Sequence, residues 1–213
     1  MKKNEGIFLG VSLMTTDFYS KARIKAYAKW SLAKFERFLV VIADVPEEIN
    51  WVVLKGVKKE DAKLKIIYRT ESLRKGYLRA LGGLQGAIVL SVSEISNKEK
   101  YGEIYSIIFD EYKTNIKFQK DVDATVSNNL SGLLASISAS NDIIKSLAPY
   151  VLHEFSVSIF LKWYNKPSFS IQISPRPDQL MENVLSGRSS ATIKRIGIKP
   201  EPYEYLTKVL KEV

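Results

Sequence analysis

Two short, almost unbroken apolar runs, Ile7 to Ser12 and Phe38 to Ala43, flank a segment that reads as a helix from Phe18 to about Arg37. Runs of this length without polar alternation are strands covered on both faces, the usual condition of a parallel sheet. Parallel neighbours need a crossover, and the helical segment supplies one. Thr15, Thr16 and Asp17 are placed to cap that helix, and Asp44-Val45-Pro46 ends the second strand. This strand–helix–strand unit constrains the fold more than any other feature of the chain.

The later segments extend the same pattern. A basic helix is predicted from Lys58 to Leu84, punctuated at its end by Gly82, Gly83 and Gly86, and a third buried strand over Ala87 to Val92. Residues 99–119 are expected to be helical, with Tyr101, Ile104, Ile108 and Tyr112 on related faces. Residues 121–149, rich in Ser, Asn and Ala, read as one helix or two, and Tyr150 to Trp163 as a separate apolar helix. Phe169 to Ile173 alternates like a strand ended by Pro175-Arg176-Pro177, and short helices are expected over 178–187 and 200–213. No internal repeat or low-complexity linker interrupts the chain. The expected fold is α/β: one Rossmann-like, three-layer domain over residues 1–213 with a central, mostly parallel sheet.

Composition narrows the chemistry. The chain has no cysteine and a single histidine, His153. A thiol nucleophile, cysteine-ligated metals and multi-histidine metal sites are thereby excluded. Acid–base work falls to carboxylates, tyrosines, lysines or His153. The apolar run after Met1-Lys2-Lys3-Asn4-Glu5 is too short to cross a membrane and no small-residue cleavage site follows, so a cytoplasmic protein without membrane attachment is the default. The net charge of +9 is uneven: Lys55 to Gln85 holds nine basic residues against three acidic, and Lys21 to Arg37 six against one. Such clusters favour a polyanionic partner; a lysine-rich solvated surface is the alternative.

Three constellations could carry chemistry. Gly10-Val11-Ser12 falls at the carboxyl end of the first strand, the edge where open α/β sheets bind ligands. A hydroxyl there is placed to act as a nucleophile, and the small Gly10 allows close approach; the alternative is a serine that only hydrogen-bonds the turn. The nucleophile elbow of serine hydrolases, the phosphate loop and the dinucleotide fingerprint are all absent. Tyr150 and Glu154, four residues apart, share a helical face within an otherwise apolar stretch. A glutamate buried there must be paired or protonated, so it either binds a cation or moves protons; the alternative is a carboxylate at the helix edge reaching solvent. His153, on a neighbouring face, reads as structural. Arg69, Arg74, Lys75 and Arg79, in the basic helix, suit phosphate contacts that would be salt-sensitive and blind to sequence.

Taken together and in this order, these features resemble the cyclodipeptide synthases. Leu9-Gly10-Val11-Ser12 matches the end of the family's first signature, aliphatic-Gly-aliphatic-Ser, and Tyr150-Val151-Leu152-His153-Glu154-Phe155-Ser156 matches the second in full. The resemblance implies a fold like the catalytic domain of class I tyrosyl- and tryptophanyl-tRNA synthetases, with no ATP, metal or other cofactor. It implies two aminoacyl-tRNAs bound in turn by a monomer. Ser12 would take the first aminoacyl group as an ester, the second would give a dipeptidyl enzyme, and cyclisation would release a 2,5-diketopiperazine. Tyr150 and Glu154 would hold the first amino group, with Glu154 also moving protons. Tyr101, or else Tyr105, would be the supporting tyrosine, and the basic helix would hold a tRNA acceptor arm. The first residue's pocket would be lined near Val41, Val92, Val157 and Gln172, the polar Gln172 suiting a polar first residue if it does not face solvent.

The chain departs from the pattern in places. The family's usual histidine falls on Gly6, and Phe8 takes an aliphatic position. Thr15 stands where the larger subfamily has asparagine; Pro175 fits the other subfamily, but Ser174 precedes it where a tyrosine is expected. Proton handling would then be rebuilt locally, with His153 or water as carrier. The competing functions are a non-catalytic RNA-binding module of the same fold and an enzyme acting on another small activated ester.

Overall fold

The structure, a computed structural model, describes residues 6–13, 17–131, 140–166, 168–173, 179–190 and 192–193. Among these, four strands form one sheet: β1 (Gly6–Val11), β2 (Arg37–Ile42), β3 (Ala87–Ser91) and β4 (Phe169–Ile173). Their spatial order is β3-β2-β1-β4, and every neighbouring pair is parallel. The chain steps from β1 to β2 to β3 in one direction and then returns to the far side of β1. That reversal opens a crevice at the carboxyl ends of β1 and β4.

The helices are α1 (Lys21–Leu32), α2 (Asp44–Lys55), α3 (Lys59–Leu81), α4 (Val92–Ser96), α5 (Glu99–Thr114), α6 (Ile116–Ser131), α7 (Asn141–Ile159) and α8 (Gln179–Leu185). Strand side chains alternate between two covering layers. Ile7, Leu9, Val11, Phe38, Val40 and Ile42 pack with Ile24 and Tyr27 of α1 and Ile66, Tyr77 and Leu81 of α3. Phe8, Leu39 and Val41 face the other way, into a cluster built from α4 to α8, with Val45, Ile49 and Val53 of α2 against it. Both faces of the sheet are therefore dry, which is why its strands read as continuous apolar runs; each fully buried Leu, Ile or Phe contributes about 1.5–3 kcal/mol.

Several boundaries differ from expectation. Asp17–Tyr19 form a 3-10 turn, and Ser20 caps α1, its side chain accepting from the Arg23 N–H at 3.4 Å. Helix α1 stops at Leu32 and not near Arg37, which already belongs to β2. Residues 44–46, read as the end of a strand, instead open a full helix, α2: Pro46 sits in its first turn, where a missing N–H costs nothing, and Gly56 ends it at φ 60°. The expected helix over 99–119 is divided at Asn115, whose Oδ1 accepts from the Lys117 and Phe118 N–H groups at 3.0 and 3.3 Å and starts α6. Tyr150 does not begin a helix of its own: α7 runs through Pro149, which leaves only the Lys145 carbonyl without its helical donor, and continues into a π-helical segment, Phe160–Tyr164. The histidine position of the signature is glycine because a Cβ on Gly6 would come within 2.5 Å of the Phe169 ring. The terminal helix expected over 200–213 lies outside the described residues.

Candidate active site

Ser12 follows the last residue of β1 and continues the parity of Phe8 and Gly10, which points it toward the layer holding α2 and α7. Its Oγ donates to Glu47 Oε1 at 2.5 Å. Glu47 lies in the first turn of α2, where the helix dipole favours negative charge, and is 2% exposed. Helix α2 packs along α7 and brings Glu47 up to Tyr150. The Tyr150 hydroxyl is hydrogen-bonded to Glu154, and its pKa is pushed well above the ordinary tyrosine value, first by burial and then by the negative charges of Glu154 and Glu47. Ser12 is bonded to Glu47 and Tyr150 to Glu154, and the charge of Glu47 reaches Tyr150, so the four residues share one region between the end of β1 and the middle of α7. The charges of both carboxylates reach the Tyr150 hydroxyl, an electrostatic setting that favours a cation.

Glu154 is not the buried carboxylate that its apolar stretch suggests. It is exposed, while Val151, Leu152, Phe155 and Val157 around it are buried. The apolar surface of α7 turns to the core, Tyr150 packs partly against it, and Glu154 is left open. Beside Ser12, a Cβ added to Gly10 would meet nothing within 4 Å, so the glycine borders open space on the side facing α7. The neighbouring rim is fixed by hydrogen bonds. Asp44, the first residue of α2, accepts from the Ser93 N–H at 3.0 Å and its hydroxyl at 2.5 Å, and Glu94 closes a capping box with Ser91.

His153 faces away from this group. Its ring stacks on Tyr105 with centroids 4.3 Å apart, and its Nδ1 lies 2.8 Å from the Tyr101 hydroxyl. Burial lowers the His153 pKa to about 4 and raises that of Tyr101, so the tyrosine donates and the imidazole accepts. An imidazole of that basicity is protonated about once in a thousand at pH 7, which makes His153 a poor substitute carrier for protons. Tyr101 is committed to His153; Tyr105 lies against the same ring.

The basic residues divide into two kinds. The Arg69 Nε donates to the carbonyl of Leu13 at 2.9 Å, bracing the loop that carries Ser12. Arg74 is half-buried and paired with Glu94, with Glu71 3.9 Å away. Lys75 and Arg79 are exposed. On the same helix Tyr68 is 76% exposed, with Leu64, Ile67 and Leu78 also open to solvent. Val41, Val92 and Val157 join one buried cluster. Gln172, paired in register with Phe8, therefore faces the α7 layer, where its side-chain oxygen lies 3.2 Å from Ser158 Oγ. Thr15 and Ser174 lie outside the described residues.

Sequence reasoning missed Glu47, because it missed α2. The signals were present: Asp44 and Glu47 in a first turn, proline within it, Lys55 in the last turn and glycine just beyond. Among the described residues, no group of three or more His, Asp or Glu stands ready to hold a metal ion, and no helix is long and apolar enough to cross a membrane.

Residues 1–162 match the family model described as cyclodipeptide synthase. No curated protein sequence matches significantly. Among solved structures, a cyclodipeptide synthase from Fluoribacter dumoffii superposes with a TM-score of 0.73 at 15% identity, covering 91% of this chain and 86% of its own. A Mycobacterium tuberculosis protein, whose structure relates cyclodipeptide synthetases to type I tRNA synthetases, gives 0.61 at 19%, covering 73% of this chain and 66% of its own. The cyclodipeptide synthase from Candidatus Glomeribacter gigasporarum, solved bound to Phe-tRNAPhe, gives 0.61 at 15%, covering 93% and 86%. At these identities the likenesses establish the fold alone. With that fold and the match over residues 1–162, the chain belongs to the cyclodipeptide synthase family.

Proposed function

We propose that this chain makes a 2,5-diketopiperazine from two aminoacyl-tRNAs bound one after the other, through aminoacyl and dipeptidyl esters on Ser12. The observation that carries the reading is the junction of Ser12 with the Tyr150–Glu154 pair through Glu47, in a crevice bordered by Gly10. In this reading the open Glu154 carboxylate and the Tyr150 hydroxyl grip the ammonium of the first aminoacyl group. Tyr101 acts from behind, through His153. Gly10 leaves room for the acyl chain, and Val41, Val92, Val157 and Gln172 set the first-residue pocket. The aminoacyl ester arrives already activated, so ATP, metal and cofactor have no task; positioning, one nucleophile and one proton carrier suffice.

The exposed face of α3 is the proposed tRNA surface. Lys75 and Arg79 supply charge for phosphates, and Tyr68 offers a ring on which a base could stack. Arg69 contributes by fixing the Leu13 carbonyl, and Arg74 acts once released from Glu94. A single-domain cytoplasmic monomer fits this scheme. The test is mass spectrometry of the medium of a bacterium expressing the chain, beside its Ser12→Ala variant. The expected result is a diketopiperazine from the first and none from the second, with tRNA binding retained. Product from Ser12→Ala would overturn the ester. No product from either, with tRNA still bound, would favour a binding module.

A further inference from the structure

We propose that Glu47 is the general base that takes the proton from Ser12 during acylation, a role resting on the ester chemistry proposed above. Three observations carry it. The Ser12 hydroxyl points at Glu47 Oε1 at 2.5 Å, within the range of a hydroxyl bonded to a carboxylate. Glu47 is buried, and among the described residues no lysine or arginine forms an ion pair with it. A carboxylate in such a place is costly to keep. As a mere acceptor for a serine hydroxyl, a neutral glutamine amide would do as well at lower cost. What the amide cannot do is take the proton.

The position also suits the reaction. A serine hydroxyl is a weak nucleophile until a base lies within hydrogen-bond reach. The Ser12 hydroxyl is directed at Glu47, whereas Glu154 is exposed and bonded to Tyr150 and His153 is turned to Tyr101. In the proposed step Ser12 Oγ attacks the ester carbonyl carbon of the aminoacyl-tRNA while its proton passes to Glu47 Oε1. The tetrahedral adduct then collapses: the bond from the carbonyl carbon to the ribose oxygen breaks, and that oxygen takes the proton from Glu47. The products are an aminoacyl ester on Ser12 and a tRNA with a free ribose hydroxyl. No other reactant is consumed.

The experiment is single-turnover transfer of a radiolabelled aminoacyl group to the protein, using tRNA charged with an amino acid found in the wild-type product. It compares wild type, Glu47→Gln and Glu47→Ala, with tRNA affinity and melting temperature measured alongside. The expected result is acylation slowed about 100-fold or more in Glu47→Gln, with tRNA affinity and melting unchanged, and partial recovery of Glu47→Ala by added formate. Acylation of Glu47→Gln within threefold of wild type would overturn the proposal and leave the ester intact. So would a slow Glu47→Gln with weakened tRNA binding and no formate recovery in Glu47→Ala, which marks a structural role. A wild type that forms product but never carries label would remove the ester itself.

Discussion

Helix α7 presents two adjacent faces to two very different surroundings. On one, Tyr150, Glu154 and Ser158 recur every four residues as a polar stripe, joined through Tyr150 to Glu47 and through Ser158 to Gln172. On the other, His153 lies against Tyr105 and accepts from Tyr101. Glu154 directly follows His153, yet the carboxylate is open to solvent and the imidazole is packed among rings. Residue type alone would have made the histidine the proton carrier, since its ordinary pKa is near neutrality. Burial reverses that preference by lowering the pKa of the imidazole.

The sharpest way to break this contrast is to remove the charge from the polar face. In Glu154→Gln the volume is kept and the carboxylate proposed to grip the amine is lost. Diketopiperazine formation should fall about 100-fold, the size of a charge-assisted hydrogen bond of roughly 2–3 kcal/mol. Melting should scarcely move, because the side chain is exposed. A variant that loses several degrees of melting temperature and keeps its product would mean that the polar stripe is scaffolding.

How much of this arrangement the sequence disclosed depended on what each element buries. The strands were legible because both faces of the sheet are covered, so Ile7–Val11 and Phe38–Ile42 carry no polar interruption. The pair of signatures around Ser12 and Glu154 was legible as local pattern. Helix α2 was not, because Asp44-Val45-Pro46 ends a strand and starts a helix with the same three residues, and a proline serves both purposes. Missing α2 hid Glu47, whose partnership with Ser12 spans 35 positions and leaves no local trace. The exposure of Glu154 was equally hidden: periodicity places residues on a face but does not say whether another helix covers it. Arg69 and Arg74 looked like phosphate ligands by charge, yet tertiary packing gives each a partner within the chain.

The second test sharpens the other side of α7. Folded His153 has a pKa of about 4, below the ordinary value of 6.5. The unfolded chain therefore binds a proton that the folded chain refuses between these values. The stability His153 contributes is complete above pH 6.5 and is lost as pH falls toward 4. Chemical denaturation should show a loss of roughly 2 kcal/mol across that window, after allowance for the ring's partial solvent contact. His153→Gln, which can still accept from Tyr101 but cannot charge, should flatten that part of the profile. An unchanged profile would place the acid sensitivity elsewhere and remove the distinction between the two faces.

The smallest expected effect lies at the far end of the polar stripe. Gln172 stands on β4 opposite Phe8 and meets Ser158, four residues beyond Glu154. If that end of the stripe borders the first-residue pocket, its amide lets a polar side chain be hydrogen-bonded where an apolar wall would leave it unpaired. Gln172→Leu keeps much of the volume and removes the amide, so the product mixture should shift severalfold toward apolar first residues, a change of about 1 kcal/mol. Total turnover should stay within about threefold, because Ser12, Glu47, Tyr150 and Glu154 are untouched. Competition between a polar and an apolar aminoacyl-tRNA in one reaction reads the ratio directly. An unchanged product spectrum would confine the stripe's chemistry to Tyr150 and Glu154 and leave Ser158 and Gln172 as a brace between α7 and the edge of the sheet.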